Sequence, residues 1–570
     1  MLKKVSITDF KGLDNRPVIG GFYDSSNMIP IDDGKGIGAT VNIANQEIEG
    51  TLANFTTPVN FTYGRTESKA FVLCDNTYIF SSTTGGSNWA ALGNNAGFSN
   101  NLIADQNDII WVASDGALQY WTAEATRVWT DPTYAFTNGT ANVYHPAALV
   151  QNYVLFGDGN IIARIDVSGG GAGSFTASAL TLPAGYIITS IVQAGYDYRK
   201  AIISANRNNV GAIFEWDCIA DEPSSIFQLN QEVFSLLNHN NRIFAMFSDS
   251  NLYEITSYPP QILFRIPDTK DTDVNSSIKD NMIVSAGNKL YFGTHNSSFT
   301  RNRSGLWCYD LESGFGYYVG PLSANERYVS SSSYGAKCLF SLRVGSTRRI
   351  LIGQESELSA DGRLDSVIFG TAPTLPAYYV SPIISDVKSK LRGIKFKISP
   401  QQAMNTGING FSVSILASYY VFDSLLWNYA QQDGTEAASN LVSVDQTLSA
   451  AGSFSIGAVG DEVTILSGAN AGYTQRITTA VTSADPYVYT LDGNMAGNNV
   501  NGTYFTIQKF KKLNTTATTL TSGSNIFIPC PDQPEFRKLL IKIQLTVTTG
   551  FPVLSDLDII YDTIQGELGL

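Results

Sequence analysis

Lys289-Leu290-Tyr291-Phe292-Gly293, a polar stretch, and then GLWCYDLESGFGYYV at 305–319 make up the segment from which the architecture is read. It holds short apolar runs, rich in aromatic and branched side chains, separated by residues such as Ser-Gly that tolerate the positive φ of a tight turn. That is the pattern of strand, hairpin and strand. The same theme recurs on both sides, with runs starting near Phe71, Ile109, Tyr153, Ala201, Ile243, Leu290 and Ile350, separated by 38, 44, 48, 42, 47 and 60 residues. A repeat of about 40–50 residues is the period of β-propeller blades. The fold class is therefore all-β, a propeller of six or seven blades. Seven is the count, and six is the alternative if the last, longest gap encloses a loop. Helical periodicity is nearly absent.

Outside this rhythm the chain divides further. Residues 1–60 read as an N-terminal arm with short strands that pair with the final blade or a neighbour, and 61–370 as the propeller. Strand patterns at 371–434 and 521–570, such as Gly393-Ile394-Lys395-Phe396-Lys397-Ile398 and Leu557–Tyr561, read as a β-sandwich. The segment 435–520, with Gly460–Thr479 and Tyr487–Leu491, reads as an inserted small β-barrel. A chain of 570 residues exceeds what one core usually supports, which agrees with several domains.

Charged residues make up only 15% of the chain, against about 25% in average globular proteins, and Asn, Ser, Thr and Gly replace them. Such a surface suits exposed strands, tight turns and contacts with other subunits. The net charge of −13 argues against a duplex-DNA binder, which needs a basic stripe to neutralise phosphates. An acidic wall instead lets DNA pass without adhering. The densest basic clusters, Lys388, Lys390, Arg392, Lys395 and Lys397, and Lys509, Lys511 and Lys512, fall in strand-like stretches where alternation puts charge on a solvated face. Five scattered cysteines (Cys74, Cys218, Cys308, Cys338, Cys530) include no CxxC pair and read as buried thiols, four of them in apolar strand runs. MLKKVSITDF carries two lysines but no apolar run behind them, so no secretory leader is expected, and no stretch has the length of a membrane span.

Several segments invite a catalytic or ligand-binding reading. Phe264-Arg265-Ile266-Pro267 matches the arginine motif of sialidases, and Ser82-Thr83-Thr84-Gly85-Gly86-Ser87-Asn88-Trp89 keeps the Ser, Gly and Trp of their Asp-box. Sialidase chemistry needs an arginine clamp on a carboxylate, a Tyr/Glu nucleophile pair and an acid. Here the motif follows the only box-like segment, and the box has lost its Asp and Thr. The motif therefore reads as a strand end with an arginine at the rim. His145, His239 and His295 stand alone, without ligand spacing, and read as turn residues. Asp268, Asp271 and Asp273 lack the glycine and distal glutamate of a calcium loop. Gly34-Lys35-Gly36-Ile37-Gly38 fits neither phosphate-binding spacing. Trp89, Trp121, Trp129, Trp216 and Trp307 suit packing between blades better than sugar stacking. The expectation is no enzyme, with no catalytic, cofactor or metal residues.

Phe10-Lys11-Gly12-Leu13-Asp14, the stretch Asn27–Gly38, blade segments such as Gly305–Gly314, and Ser381-Pro382-Ile383-Ile384 form an arrangement that resembles the tail nozzle proteins (tail tubular protein B, or tail hub) of short-tailed bacteriophages. Leu557-Asp558-Ile559-Ile560-Tyr561 belongs to it as well, as does Gly468-Ala469-Asn470-Ala471-Gly472, which is similar to turns of inserted modules in phage tail proteins. The resemblance implies a structural virion protein made in the bacterial host cytoplasm. It further implies a homohexameric ring below the portal and its adaptor (connector), which extends the DNA-ejection channel and anchors fibres or a needle. Double-stranded DNA would pass without specific binding. The alternative is a glycan-binding or sialidase-like propeller of a fibre or a secreted protein, and a generic interaction scaffold comes third. An arm that docks the ring would make deletion of residues 1–40 abolish assembly while sparing the propeller.

Overall fold

The computed structural model describes residues 2–13, 21–22, 24–26, 28–31, 35–39, 41–45, 47–49, 58–64, 69–74, 78–84, 86, 88–94, 99–114, 116–122, 130–138, 144–170, 173–194, 199–249, 251–256, 259–265, 281–296, 305–320, 334–344, 347–354, 363–369, 377–400, 411–421, 430–432, 447–450, 461–465, 474–481, 487–491, 505–508, 511–514, 518–521 and 523–564. Among them every regular element is a strand.

Seven antiparallel sheets form the propeller. Each apolar run singled out above is the second strand of a blade: Lys69–Cys74, Ile109–Ser114, Tyr153–Asp158, Lys200–Arg207, Arg242–Phe247, Lys289–Asn296 and Thr347–Gln354. These strands are apolar on both sides because each blade is packed between two neighbours; Lys69–Cys74, for example, is buried from Ala70 onward. The innermost strands are Pro58–Gly64, Ser99–Ala104, Ala147–Val150, Ile187–Ala194, Val233–His239, Ile283–Ala286 and Tyr334–Val344. They pack each on the next, and the last packs on the first. The disc is thus closed. The long sixth interval arises because the inner strand of blade 7 runs for eleven residues after 321–333, which lie outside the described set.

The hairpins carry the turn chemistry expected. Asn208-Asn209 and Asn240-Asn241 hold φ values of 53° and 64°, and 53° and 63°, the left-handed pair that matches the twist of antiparallel strands. Trp89, Trp111, Trp216 and Trp307 are fully buried between or within blades. Their removal from water stabilises each sheet contact by a few kcal/mol, of order 25 cal/mol per Å² of apolar surface.

The N-terminal segment has the short strands expected of it, and one of them pairs with the final blade. Its strands are distributed among other sheets. Val41–Asn45 pairs with Arg363–Phe369 and becomes the outermost strand of blade 7, so the chain seals the ring with a strand taken from far upstream. Glu47–Glu49 lies parallel to the outer strand of blade 1, Asn88–Asn94. Leu2–Ile7, Asp24–Ser26, Ile29–Ile31 and Gly36–Gly38 all join the twelve-stranded sheet built from residues 377–563.

That sheet folds back as two layers around one core. In one layer Pro552–Thr563 pairs with Ile384–Pro400 and with Leu2–Ile7. In the other, Glu535–Thr549 pairs with Ser412–Val421 and Ala377–Val380. Ile384–Pro400 links them: its first residues, as far as Lys390, pair with Glu535–Leu539 through a register shift between Ser385 and Ser389, and from Ser389 onward its other edge pairs with Pro552–Thr563. Ile7, Phe10, Met28 and Ile37 share a continuous core with sandwich residues such as Ile394 and Ile543, and with Phe292 and Trp307 of blade 6. Propeller and sandwich are therefore fused through packed side chains.

A six-stranded sheet is inserted in the sandwich, ordered Ala430–Gln432, Phe505–Gln508, Glu462–Ile465, Thr474–Val481, Tyr487–Leu491 and Thr447–Ala450. Among the described residues no pairing joins its two end strands. Its limits differ from 435–520 in how the strands pair. Lys511–Lys512 and Thr518–Leu520 pair with Ser412–Val421 in the sandwich, whereas Ala430–Gln432 pairs inside the insert.

Candidate functional site

The axis of the disc is built by a device that repeats. In five blades the innermost strand carries a β-bulge, and the residue after it is Asn60, Asn101, Ser190, Ser235 or Cys338. The extra residue turns that small side chain towards the next blade. Asn60 donates to the Asn101 carboxamide, and Asn101 Nδ2 donates to the His145 carbonyl at 2.8 Å. Ser190 Oγ accepts from Leu236 N at 3.1 Å, and Ser235 Oγ accepts from Met282 N at 3.2 Å. The Cys338 thiol donates to the Pro58 carbonyl at 3.6 Å, across the joint between blades 7 and 1. The two remaining joints are bridged by backbone, Ile188 N to Gly159 O at 2.8 Å and Leu339 N to Asn281 O at 2.7 Å. An annulus of hydrogen bonds thus ties all seven blades. Sequence reasoning missed it, although a signal exists: these residues stand 11, 8, 11, 8 and 12 positions before the apolar run of their own blade.

The enzyme-like segments resolve into packing. Phe264 is the buried last residue of the outer strand of blade 5 and lies among Phe292, Trp307 and Tyr309. A Cβ on Gly316 would come 2.4 Å from its ring, so that glycine is required by close approach. Arg265 is exposed, and Ile266 and Pro267 lie outside the described residues. Ser82–Trp89 forms the turn before the outer strand of blade 1. There Ser82 Oγ accepts from Gly86 N at 3.0 Å, and the Trp89 indole donates to Gly86 O at 3.2 Å. Trp89, Trp216 and Trp307 have no exposed face on which to stack a sugar. The side chain of Trp121 and all of Trp129 lie outside the described set.

The histidines are scattered, and only one is at a turn. His239 closes the Asn240-Asn241 hairpin, and its burial, then the nearby Arg242, lowers its pKa. His145 is buried between blades, stacked on Phe136 at 4.1 Å, with Nδ1 2.8 Å from Gly157 O. His295 is in a strand opposite Gly335. Gly36-Ile37-Gly38 is a buried strand against Leu554 and Val553, and Asp268, Asp271 and Asp273 are not described. All five cysteines are buried thiols outside any disulfide, three in strands (Cys74, Cys308, Cys338), with Cys218 and Cys530 just past strand ends. Burial pushes the Cys218 and Cys308 thiols up to about 12. Among the described residues no group of three or more His, Cys, Asp or Glu could hold a metal ion, and no helix is long and apolar enough to cross a membrane.

Two surfaces remain with chemistry to offer. On Ile384–Pro400, Lys388, Lys390, Arg392, Lys395 and Lys397 are exposed or half-buried, and they alternate with buried Ser389, Leu391, Ile394, Phe396 and Ile398. This is the solvated face that alternation predicts. Lys511 and Lys512 lie in a strand of the sandwich, and Lys509 is not described. The other surface is the outer rim of blade 4, where one short stretch of chain exposes Asp217, Asp221 and Glu222 together with Ile219, Ile226 and Phe227.

No protein-family model and no curated protein matches the chain. Among solved structures it is similar to the crystal structure of Chaetomium thermophilum Raptor, at 14% identity and a TM-score of 0.41, over 58% of this chain and 30% of that one. The chain thus spans less than a third of that protein's length, and a likeness of this degree carries no argument about function.

Proposed function

We propose that this chain is a structural subunit of the tail of a short-tailed bacteriophage, forming a ring that prolongs the DNA-ejection channel beneath the portal and its adaptor. In this reading it is not an enzyme. Its partners are other copies of itself, the adaptor, and fibres or a needle. The observation that carries the reading is the weave of the N-terminal segment, which supplies strands to the sandwich, to the seal of blade 7 and to the rim of blade 1. Such a weave couples the domains into one stiff block, as a load-transmitting ring needs. The blade-to-blade annulus adds to that stiffness, and the acidic balance suits a conduit past which DNA slides. The resemblance of Phe10–Asp14, Asn27–Gly38 and Leu557–Tyr561 to nozzle proteins points the same way.

The test is immunogold electron microscopy on phage particles from the lysate that contains this protein. Label confined to the distal end of a short tail at one vertex is expected. Label along projecting fibres, or on no particle, would overturn the reading.

A further inference from the structure

The chain covers several of its own blade rims. Glu47–Glu49 lines blade 1, Val41–Asn45 finishes blade 7, and Gly12–Leu13 and Asp24–Ser26 pack against the outer strand of blade 6, Phe315–Gly320. On blade 4 the outermost strand, Ser225–Gln228, pairs only with Val210–Trp216 among the described residues. Among the described residues no strand covers its outer edge, and its side chains are exposed on both faces, Ile226 at 49% and Phe227 at 44%. Ile219, in the loop just before, is exposed at 69%. The same stretch carries Asp217, Asp221 and Glu222, which make no ion pair among the described residues; of the cations nearby, Lys200 acts on the Asp217 carboxyl and Arg164 donates to the Cys218 carbonyl. Backbone N–H groups of Ala220 and Ile219 bond the Asp217 carboxylate at 2.8 and 2.9 Å and hold its pKa below the usual range, so the charge is firmly present.

The sandwich carries a surface of opposite character. Phe527 is 54% exposed on Ser524–Pro529, a strand that pairs only with Ile384–Pro400 among the described residues. Its ring lies over Gly393, where a Cβ would come within 3.0 Å, and its direct cross-strand neighbour is Lys395. The acid on the other side of Lys395, Asp558, already accepts from Ser6 at 2.6 Å and pairs with Lys4 at 3.2 Å. Lys388 and Arg392 are likewise committed, to Glu535 and Asp562. Lys395 and Lys397 make no ion pair among the described residues; Lys395 lies opposite the exposed Phe527, Lys397 lies between Asn525 and Asp556, and no described strand covers this sheet edge.

We infer that the acidic rim of blade 4 docks onto the Lys395–Lys397–Phe527 face of the sandwich in a second copy of this chain. Two features select that occupant. Charge and apolar character are complementary between the two surfaces, and both are edge strands able to extend each other's sheets. A rim-to-rim pairing would instead oppose Asp217, Asp221 and Glu222 to themselves. Because the two surfaces differ and lie on different domains, the contact is head-to-tail, the type that generates rings when it closes. The inference deepens the ring assembly proposed above and rests on that reading for its setting.

The experiment uses the full chain and measures mass by light scattering against concentration, at low and high salt. Wild type is expected to associate, less strongly in high salt. Asp221→Lys with Glu222→Lys, and separately Lys395→Glu with Lys397→Glu, should each weaken association about tenfold or more, as like charges meet across the contact. The combined quadruple variant should recover most of it. Circular dichroism and the unfolding midpoint confirm that each variant is folded; Phe227→Ser and Phe527→Ser probe the same contact without changing charge and should also weaken association. A wild type that stays monomeric at every concentration overturns the inference. So does an oligomer indifferent to the charge swaps, or swaps that weaken association with no recovery in the quadruple variant. Gold label at the tail tip together with indifferent swaps would sink this interface and leave the tail reading standing.

Discussion

At the scale of single residues, the side chains after the inner-strand bulges hold the disc. Asn101 is fully buried and makes contacts in two directions, accepting from Asn60 and donating to the His145 carbonyl. Asn101→Ala strands a buried donor and a buried acceptor, so a loss of about 1–3 kcal/mol is expected in urea unfolding. A loss near zero would show that the annulus is incidental. The fork between Arg242 and Glu254, with contacts at 2.8 and 2.6 Å, makes stability depend on pH. The hydrogen bond from Arg242, then its charge, holds the Glu254 carboxyl below its usual 4.5. A depressed folded-state pKa contributes stability that is present above the unfolded value and is lost as pH falls through the folded one. The expected outcome is a stability difference between wild type and Glu254→Gln that is full at pH 7 and shrinks below about pH 4.5, read as unfolding midpoints. The cysteines give a chemical readout. The five thiols are buried, and burial raises the pKa of Cys218, Cys308 and Cys530; none should react with a disulfide reagent at pH 8 in the native protein, and all five should react after denaturation.

At the scale of elements, the strand Val41–Asn45 decides whether the propeller is closed. Ile43 is buried opposite Val367, and Ile43→Asp puts an unpaired charge into that seam. A cost of about 3–5 kcal/mol is expected. Hydrogen exchange should show the inner strands of blades 7 and 1 losing protection first. Deletion of residues 1–40 has a different consequence. It spares the seal but removes Leu2–Ile7 and Gly36–Gly38 from the edge of Pro552–Thr563, along with the buried side chains of Phe10 and Met28. Exchange is expected to rise in Pro552–Thr563 and Ile384–Pro400 and to stay low in blades 2 to 4. Lost assembly in that variant would then report a damaged sandwich as much as a missing docking arm.

At the scale of the whole molecule, the shared core joins blade 6 to the sandwich, while the inserted sheet stands apart in the chain. Tyr419 and Lys511 are cross-strand partners, so the chain leaves and re-enters the sandwich at neighbouring positions. Replacing 422–510 with a short Gly-rich turn should leave a folded protein whose near-ultraviolet spectrum and unfolding cooperativity match the parent. Global loss of cooperativity would mean that the insert supports the rest. Unfolding of blades 5 to 7 should coincide with that of the sandwich, because Phe244, Trp307, Ile394 and Ile543 belong to one packed cluster.

The sequence by itself determined the class of the fold and nearly all its rhythm. Seven apolar runs at blade spacing mark seven central strands, because a strand packed on both faces must be apolar along its length, and that is a local property. The solvated basic face of Ile384–Pro400 was legible for a similar reason, the strict period of two along a strand. The strand end at Phe264 and the exposure of Arg265 needed only neighbouring residues. Pairing of the N-terminal segment with the final blade was expected, but tertiary structure alone sent Leu2–Ile7, Asp24–Ser26 and Gly36–Gly38 into the sandwich, since such short strands find their partners hundreds of residues away and no local pattern names the partner. It alone turned Asn101, Ser190 and Ser235 into rivets, because a bulge is a property of a pairing and not of one strand. It alone set the limits of the insert, where Lys511–Lys512 and Ala430–Gln432 changed sides. The two complementary surfaces likewise emerge only when edges, exposure and ion pairing are known together, for charge in a sequence does not say which acid has already been taken.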